Sequence, residues 1–437
     1  MKIIIKINAF IKKQITDVNT YGIRELFRKF YLLIKFLAVI LMDIIAIVPC
    51  LIIRLISPWF IIRIERIPAG NFGDFVWMTA MYYCKKKLNI DQPKRKHIDL
   101  LYINPTSIYN KQIEKMWKRK LKIYPSFLLD PIRTANRFIP GWRNHIIENL
   151  CIHQRDLDNL FEKHKSLEFT EEEEIFGKKM LNKFGLSDQD KFVCFAIRDG
   201  AYQLKKISAK ERDWSYHDYR HTDVDNFMLA AEELSKRGYF VFRMGVVAEK
   251  PFTSKNPKII DYVNSNLRSD FMDIYLGANC SFCLSTGYGF EEVPNVFRKP
   301  IVQMIQPLGD AYTHNEKHLI LTKHHIFKKE ERRLSLSEIF SHGVAYAYDT
   351  KDFVEKGIEL KENSSEEIRD IVIEMDEYLK NNKELSGEEK ELQKTFKDLY
   401  ASNLKRYSHQ INLVRIHGEI RSRYSTQFLK KNRDWLR

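Results

Sequence analysis

The chain is 437 residues long, more than one ordinary core holds, so about two domains with an addition are expected. Hydrophobic residues make up 44% and charged residues 30%, which excludes a disordered or fibrous chain. The formal net charge of +15 favours acidic partners. The Lys and Arg are scattered, however, and no nucleic-acid motif appears, so anionic lipid and phosphorylated small molecules remain and nucleic acid is set aside.

The first element is an apolar run at 36–57, FLAVILMDIIAIVPCLIIRLIS. Its length approaches the ~20 residues that cross a bilayer. Asp43 lies near its middle, Pro49 interrupts it and Arg54 sits near its end, all of which weigh against a clean span. Basic residues lie on both sides, Arg24, Arg28, Lys29 and Lys35 before it and Arg63 and Arg66 after it. A single crossing normally has one basic side. Residues 1–60 are therefore expected to form a helical membrane-associated anchor, a re-entrant or surface-lying hairpin with Pro49 as its break and both ends on the cytoplasmic face of a bacterial inner membrane rich in anionic lipid, with a single crossing and a buried core helix as the alternatives.

After Pro58 the pattern alternates. A β-branched run, IIRIERI (61–67), leads through PAGNFGDF (68–75) into a helical stretch at 76–88. IDLLYIN (98–104) reads as a strand, 113–121 as a helix and LKIYP as a short strand. Residues 61–185 thus form a first Rossmann-like unit, closed by a charged helical connector at 163–185. A second unit, 186–345, begins with the strand KFVCFAI (191–197). It continues with a helix at 224–238 ended by Gly238, the strand YFVFRMG, a helix at 269–280 ended at Gly277, the strand SFCLST and the strand KPIVQMI. Residues 346–437 read as a charged helical extension on the outside. The fold class is α/β, two Rossmann-like domains facing a cleft, with ligands expected at the carboxyl ends of the strands.

There are six cysteines, too few for a disulfide scaffold. Cys280 and Cys283 have no second pair at zinc spacing and sit in a strand, so they read as core thiols.

Candidate site residues cluster at strand ends. Ser285, Thr286, Gly287, Tyr288 and Gly289 form a turn between a strand and a helix, with hydroxyls and glycines suited to an anion. Glu291 follows, placed to bind ribose hydroxyls or to complement the helix dipole. Arg198 and Asp199 end the strand at 191–197, and Arg suits phosphate. The segment 213–221, DWSYHDYRH, gathers rings, imidazoles, carboxylates and a guanidinium, including His217, Asp218, Tyr219 and Arg220. Arg243, Arg268 and Asp270 are further candidates. Asp74 and His217 are candidate bases for an attacking hydroxyl, with Asp218 beside the latter. Asp223-x-Asp225 opens a helix and reads as a cap, so no metal ligand is assigned.

The strings DWSYHDYR, RSDFMDIYLGA and STGYG, spread between Arg198 and Val302, resemble a bacterial family of glycosyltransferases associated with surface polysaccharide loci. The resemblance covers most of residues 60–365. The family's first glycine turn more often reads SSRIGHF, so Asp74 stands here in place of an imidazole. The strand end at Arg198 is similar to a motif of fucosyltransferase-like enzymes whose Arg contacts a GDP β-phosphate. The resemblance implies a GT-B-like fold that moves a sugar from a nucleotide-sugar donor, its substrate and not a cofactor, to a glycan or polyprenyl-linked acceptor. In such an enzyme Arg198, Arg220 and the 285–289 turn would neutralise the leaving diphosphate without a metal ion. A nucleotide-sugar epimerase of the same architecture and a non-catalytic glycan- or lipid-binding scaffold are the rivals.

Overall fold

A computed structural model describes residues 22–151, 155–156, 158–201, 215–311, 315–381, 384–407 and 420–437. Asp213 and Trp214 of the aromatic segment lie outside these. Two compact units emerge. One holds the described part of Met1–Ile67 with Pro93–Pro105 and Lys122–Ile147; the other holds Pro68–Gln92, Thr106–Leu121 and Glu148–Arg437. The grouping is not collinear with the chain: the helices Phe72–Lys87 and Lys111–Lys120, expected in a unit ending at 185, belong to the second one.

The first unit carries three parallel strands, β1 (Ile61–Arg66), β2 (His97–Tyr102) and β3 (Ile123–Tyr124), paired in that order. A buried pair, Arg63 with Asp99 at 2.7 Å, joins β1 to β2. Two helices precede β1, Ile23–Ile45 and Ile47–Ile56. They do not form the expected hairpin. The backbone stays helical through Ala46, whose N–H bonds Met42 O at 2.9 Å. Pro49 falls in the first turn of the second helix, where a missing N–H leaves no bond unmade, so it does not break the run. Together they give an apolar helical stretch from Phe27 to Ile56, long and apolar enough to cross a membrane.

The second unit is built on seven parallel strands. In chain order they are β4 (Lys191–Ala196), β5 (Tyr239–Arg243), β6 (Ile259–Ile260), β7 (Cys283–Ser285), β8 (Ile301–Met304), β9 (Leu319–Leu321) and, beyond the smaller sheet, β13 (Arg423–Tyr424). The order across the sheet is β13-β9-β8-β7-β4-β5-β6. A small antiparallel sheet adds β10 (His324–Phe327), β11 (Arg332–Arg333) and β12 (Ile358–Lys361).

Alternation along β4 explains why its sequence is apolar throughout. Val193 and Phe195 point into one core, with Ala230, Leu234 and Phe396. Phe192, Cys194 and Ala196 point into the other, with Met272, Tyr275 and Leu276. A parallel strand covered on both faces has no polar side. The cysteines behave as expected: Cys194, Cys280 and Cys283 are buried free thiols, and only Cys151 is exposed among the six.

Two expectations change here. Gly277 does not end its helix, which runs Asp270–Asn279. A Cβ there would come within 2.8 Å of Val293 Cγ1, so the glycine permits helix contact. The C-terminal residues are helical where described, but they do more than cover the outside. Helices Ser365–Asn381 and Gly387–Arg406 pack into the core, and β13 extends the sheet beside β9. Two- and three-residue strands such as β9 and β13 are too short to show a period.

Candidate functional site

The strand order places a topological switch at β4. The chain leaves β4 toward β5 and β6 on one side, then returns to β7 on the other. Ligands of open parallel sheets bind outside the carboxyl ends of strands at such a point. Arg198 follows β4 there, and the turn Ser285–Gly289 follows β7.

The turn is fixed from within. Gly287 and Gly289 have φ of 78° and 91°, left-handed conformations that a side chain disfavours. Ser285 Oγ donates to Glu291 Oε2 at 2.9 Å and accepts from Gly287 N at 3.1 Å. Gly289 N donates to the same Glu291 oxygen at 2.7 Å. Glu291 is thus an internal brace of the turn, not a carboxylate turned outward. Burial, with Glu292 beside it, raises its pKa above the ordinary carboxylate range.

Thr286 ties the turn to β4. Its N–H donates to Ala196 O at 3.1 Å, and its Oγ1 accepts from Arg198 N at 2.8 Å. Arg198 O in turn accepts from Thr222 N at 3.0 Å, which fastens the 215–220 segment to the strand end. The guanidinium groups of Arg198 and Arg220 then converge on Gly287 O, at 3.5 and 3.0 Å. Burial and the Arg220 charge lower Arg198 to about 10. Two cations held together at a switch point form a fixed positive site that an anion would relieve.

The other expected residues divide into neighbours of this site and braces. Asp199 and Arg243 form a buried pair at 2.8 Å, and Asp199 also accepts from Glu249 N at 2.8 Å and Ala201 N at 3.2 Å. Arg268 donates to Gly245 O at 3.1 Å and Asp273 Oδ2 at 3.0 Å. Burial pushes Asp273 up to about 6 even so. Asp270 accepts from Lys111 N at 2.8 Å and so caps the helix Lys111–Lys120 from outside. Tyr219 is buried against Phe353, ring centroids 5.5 Å apart. Tyr288 approaches Gly245, where a Cβ would meet its hydroxyl at 3.2 Å.

His217 and Asp218 lie on the 3-10 helix Ser215–Arg220. The His217 ring lies 4.0 Å from that of Tyr216, and Asp218 pairs with His221 at 3.5 Å. Asp74, in the first turn of Phe72–Lys87, accepts from Asn71 Nδ2 at 3.0 Å. Its neighbour Gly73 abuts the turn at Gly289, so Asp74 belongs to the same region of the second unit. Asp223 accepts from Asp225 N at 3.0 Å as a cap, and Lys250 Nζ lies 2.6 Å from both carboxylates.

No protein-family model matches the chain, and no curated protein does. Among solved structures it is similar to a glycosyltransferase family 9 protein from Veillonella parvula, at 13% identity and a TM-score of 0.37, over 60% of this chain and 86% of that one. It is similar to the E. coli ADP-heptose LPS heptosyltransferase II at 13% identity and a TM-score of 0.35, over 60% and 90%. It is also similar to E. coli heptosyltransferase WaaC with ADP-2-deoxy-2-fluoro heptose, at 11% and 0.26, over 68% and 99%. At TM-scores below 0.5 the activity has to rest on the residues themselves.

Sequence reasoning passed over Lys323 and Gln306. Lys323, half-buried two residues after β9, donates to His221 O and lies 3.8 Å from Glu362. With Arg220, Thr286 and Gln306 it lines a narrow cavity beside the arginine pair. Its only signal was a lysine two residues after the apolar triplet Leu319–Leu321, with Thr322 between.

Proposed function

We propose that the protein is a glycosyltransferase that moves a sugar from a nucleotide-sugar donor to a glycan or polyprenyl-linked acceptor at the cytoplasmic face of a bacterial inner membrane. The observation that carries this reading is the convergence of Arg198 and Arg220 on Gly287 O at the β4/β7 switch point. A leaving nucleoside diphosphate develops negative charge as the glycosidic bond to it breaks. Preorganised guanidinium groups and main-chain donors stabilise that charge without reorganising. No metal ion is assigned a role, and Lys250 between Asp223 and Asp225 supports reading that pair as structural. Asp74 is the first choice for the base that accepts the acceptor hydroxyl's proton, because its turn adjoins the glycine turn. His217, with Asp218 beside it, is the second. The apolar stretch Phe27–Ile56 supports the membrane location.

The test is a thermal-shift screen of purified protein against UDP, GDP, CMP, ADP and dTDP, with magnesium or with chelator. A ligand that binds only the folded state raises the melting temperature by mass action. The expected result is a shift with one nucleotide, unchanged by chelator and lost in Arg198→Ala. No shift with any of the five, in folded protein, would overturn the donor site.

A further inference from the structure

The polar residues of the apolar stretch show how it meets the bilayer. Within Phe27–Ile56, the residues turned toward protein are Asp43, Ala46, Cys50 and Ile53, one helical stripe. Cys50 Sγ meets Ile132 O at 3.3 Å, and Ile53 packs with Ile64, Tyr102 and Leu129. Arg54 donates to Pro140 O at 3.0 Å and to the Asn136 side chain. Asp43 lies within electrostatic reach of Asp130. Asp43 and Arg54 therefore both face the helix Ser126–Asn136 and the loop after it. The remaining faces, including Val48, Leu51 and Leu55, are exposed.

Length decides between crossing and lying flat. From Asp43 onward one stripe of the helix is held against the first unit while its other faces stay exposed. What precedes it without a charge is Phe36–Met42, which spans only ~10 Å at the helical rise. The hydrocarbon core is ~30 Å thick. Upstream, Arg24, Arg28, Lys29 and Lys35 interrupt the apolar residues at short intervals, as in helices that lie in an interface.

A second patch continues the same surface. Phe127 and Leu128 open the helix that receives Asp43 and Arg54, and Phe138 follows its end; Phe138 is 83% exposed. Their chain neighbours Leu129 and Ile139 pack in clusters with Ile53 and with Ala46 and Cys50 of the apolar helices, so the patch is carried on the same unit as the stretch. Trp59, 75% exposed, sits at the far end of the stretch.

We propose that the first unit rests half-immersed in one leaflet of an anionic bilayer, without crossing it, and that Phe127, Leu128 and Phe138 form a second lipid contact beside the apolar helix. This rests on the membrane location above and is independent of the nucleotide site. Aromatic residues settle at the headgroup boundary, and the upstream Lys and Arg suit anionic lipid.

The test is flotation of full-length protein with vesicles of phosphatidylethanolamine and phosphatidylglycerol, or of phosphatidylcholine alone. The double variant Phe127→Asp/Phe138→Asp is expected to lose about tenfold or more in affinity for anionic vesicles, with its unfolding curve and nucleotide shift unchanged. Unchanged affinity would overturn the second contact, and equal binding to both vesicle types would overturn the anionic preference. For topology, Gly22→Cys and Trp59→Cys are each placed in a Cys151→Ser background and treated with an impermeant maleimide outside intact cells. Both sites are expected to stay unlabelled; labelling of either would show a crossing and overturn the immersed arrangement. Loss of the nucleotide shift alone, with flotation intact, would strike only the donor site.

Discussion

Gly73 lies against Gly289, so that a Cβ on Gly73 would meet Gly289 O at 3.2 Å and Glu292 Cγ at 3.3 Å. The two glycine turns of the sequence, read as belonging to different domains, therefore touch within one unit. Phe72 and Phe290 beside them stack at 6.4 Å with planes 2° apart. A main-chain oxygen cannot swing away as a long side chain can, so the contact tolerates little growth. Gly73→Val is expected to cost about 1–3 kcal/mol through overpacking. Urea denaturation measures it, and an unchanged midpoint would refute the contact.

Gly177 makes a parallel case with different chemistry. A Cβ there would fall 2.2 Å from the Tyr275 ring, and that ring is held by Phe169 and Phe271. Gly177→Ala gains up to about 1 kcal/mol of helix propensity. The clash is expected to outweigh it, leaving a net loss of about 1–3 kcal/mol by thermal unfolding. A stabilised Gly177→Ala would show that the ring yields.

The Asp199–Arg243 pair has side chains only 6% and 2% exposed. Removing one partner strands a charge in a dry site. Asp199→Ala should lose about 3–5 kcal/mol. Because Asp199 also holds the 199–201 and 249–250 segments, limited proteolysis should cut the variant faster than the parent. Equal midpoints and equal cleavage would mean the pair contributes nothing.

Acid lability should be traceable to Glu173. Burial alone would raise its carboxyl, but hydrogen bonds from Arg119, Gln112, Thr170 N and Lys115 outweigh that and hold it at about 2. A depressed folded value means the unfolded chain binds the proton more tightly near pH 4. The stabilisation is therefore present above about 4.5 and lost as pH falls toward about 2, up to about 3 kcal/mol. Wild type should exceed Glu173→Gln in stability at pH 6, and the gap should close below pH 3. A gap independent of pH would refute the linkage.

Thiol chemistry offers a check on both units. Cys151 is the exposed thiol of the six, while burial pushes Cys84 up to about 12. One equivalent should react with a disulfide reagent in native protein and six after unfolding. A second fast equivalent in native protein would mean that one of the cores opens.

The long strands were legible because period and length agreed: the runs at β1, β4 and β5 are apolar, β-branched or aromatic and end at glycine or charge. The Arg198 strand end and the 285–289 turn were legible for the same reason, since each follows such a run. What escaped was governed by distance in the chain. Lys323 meets His221 O across about a hundred positions, and β13 pairs with β9 across a similar span. No local pattern records such pairings. Glu291 misled because a carboxylate after a glycine turn looks ligand-facing, while its partners, Ser285 Oγ and Gly289 N, are the turn itself.

Strand β13 and the buried Trp435 also order events in time. Synthesis is vectorial, and domains fold as units once their parts are available. The apolar helices and β1 leave the ribosome before the edge strand that extends the large sheet and before Arg437, whose O accepts from Ser337 N at 3.0 Å. Under the proposed function, the apolar helices become available to lipid well before the large sheet can close. A chain stopped before Arg423 would therefore carry the apolar helices while its large sheet lacks β13.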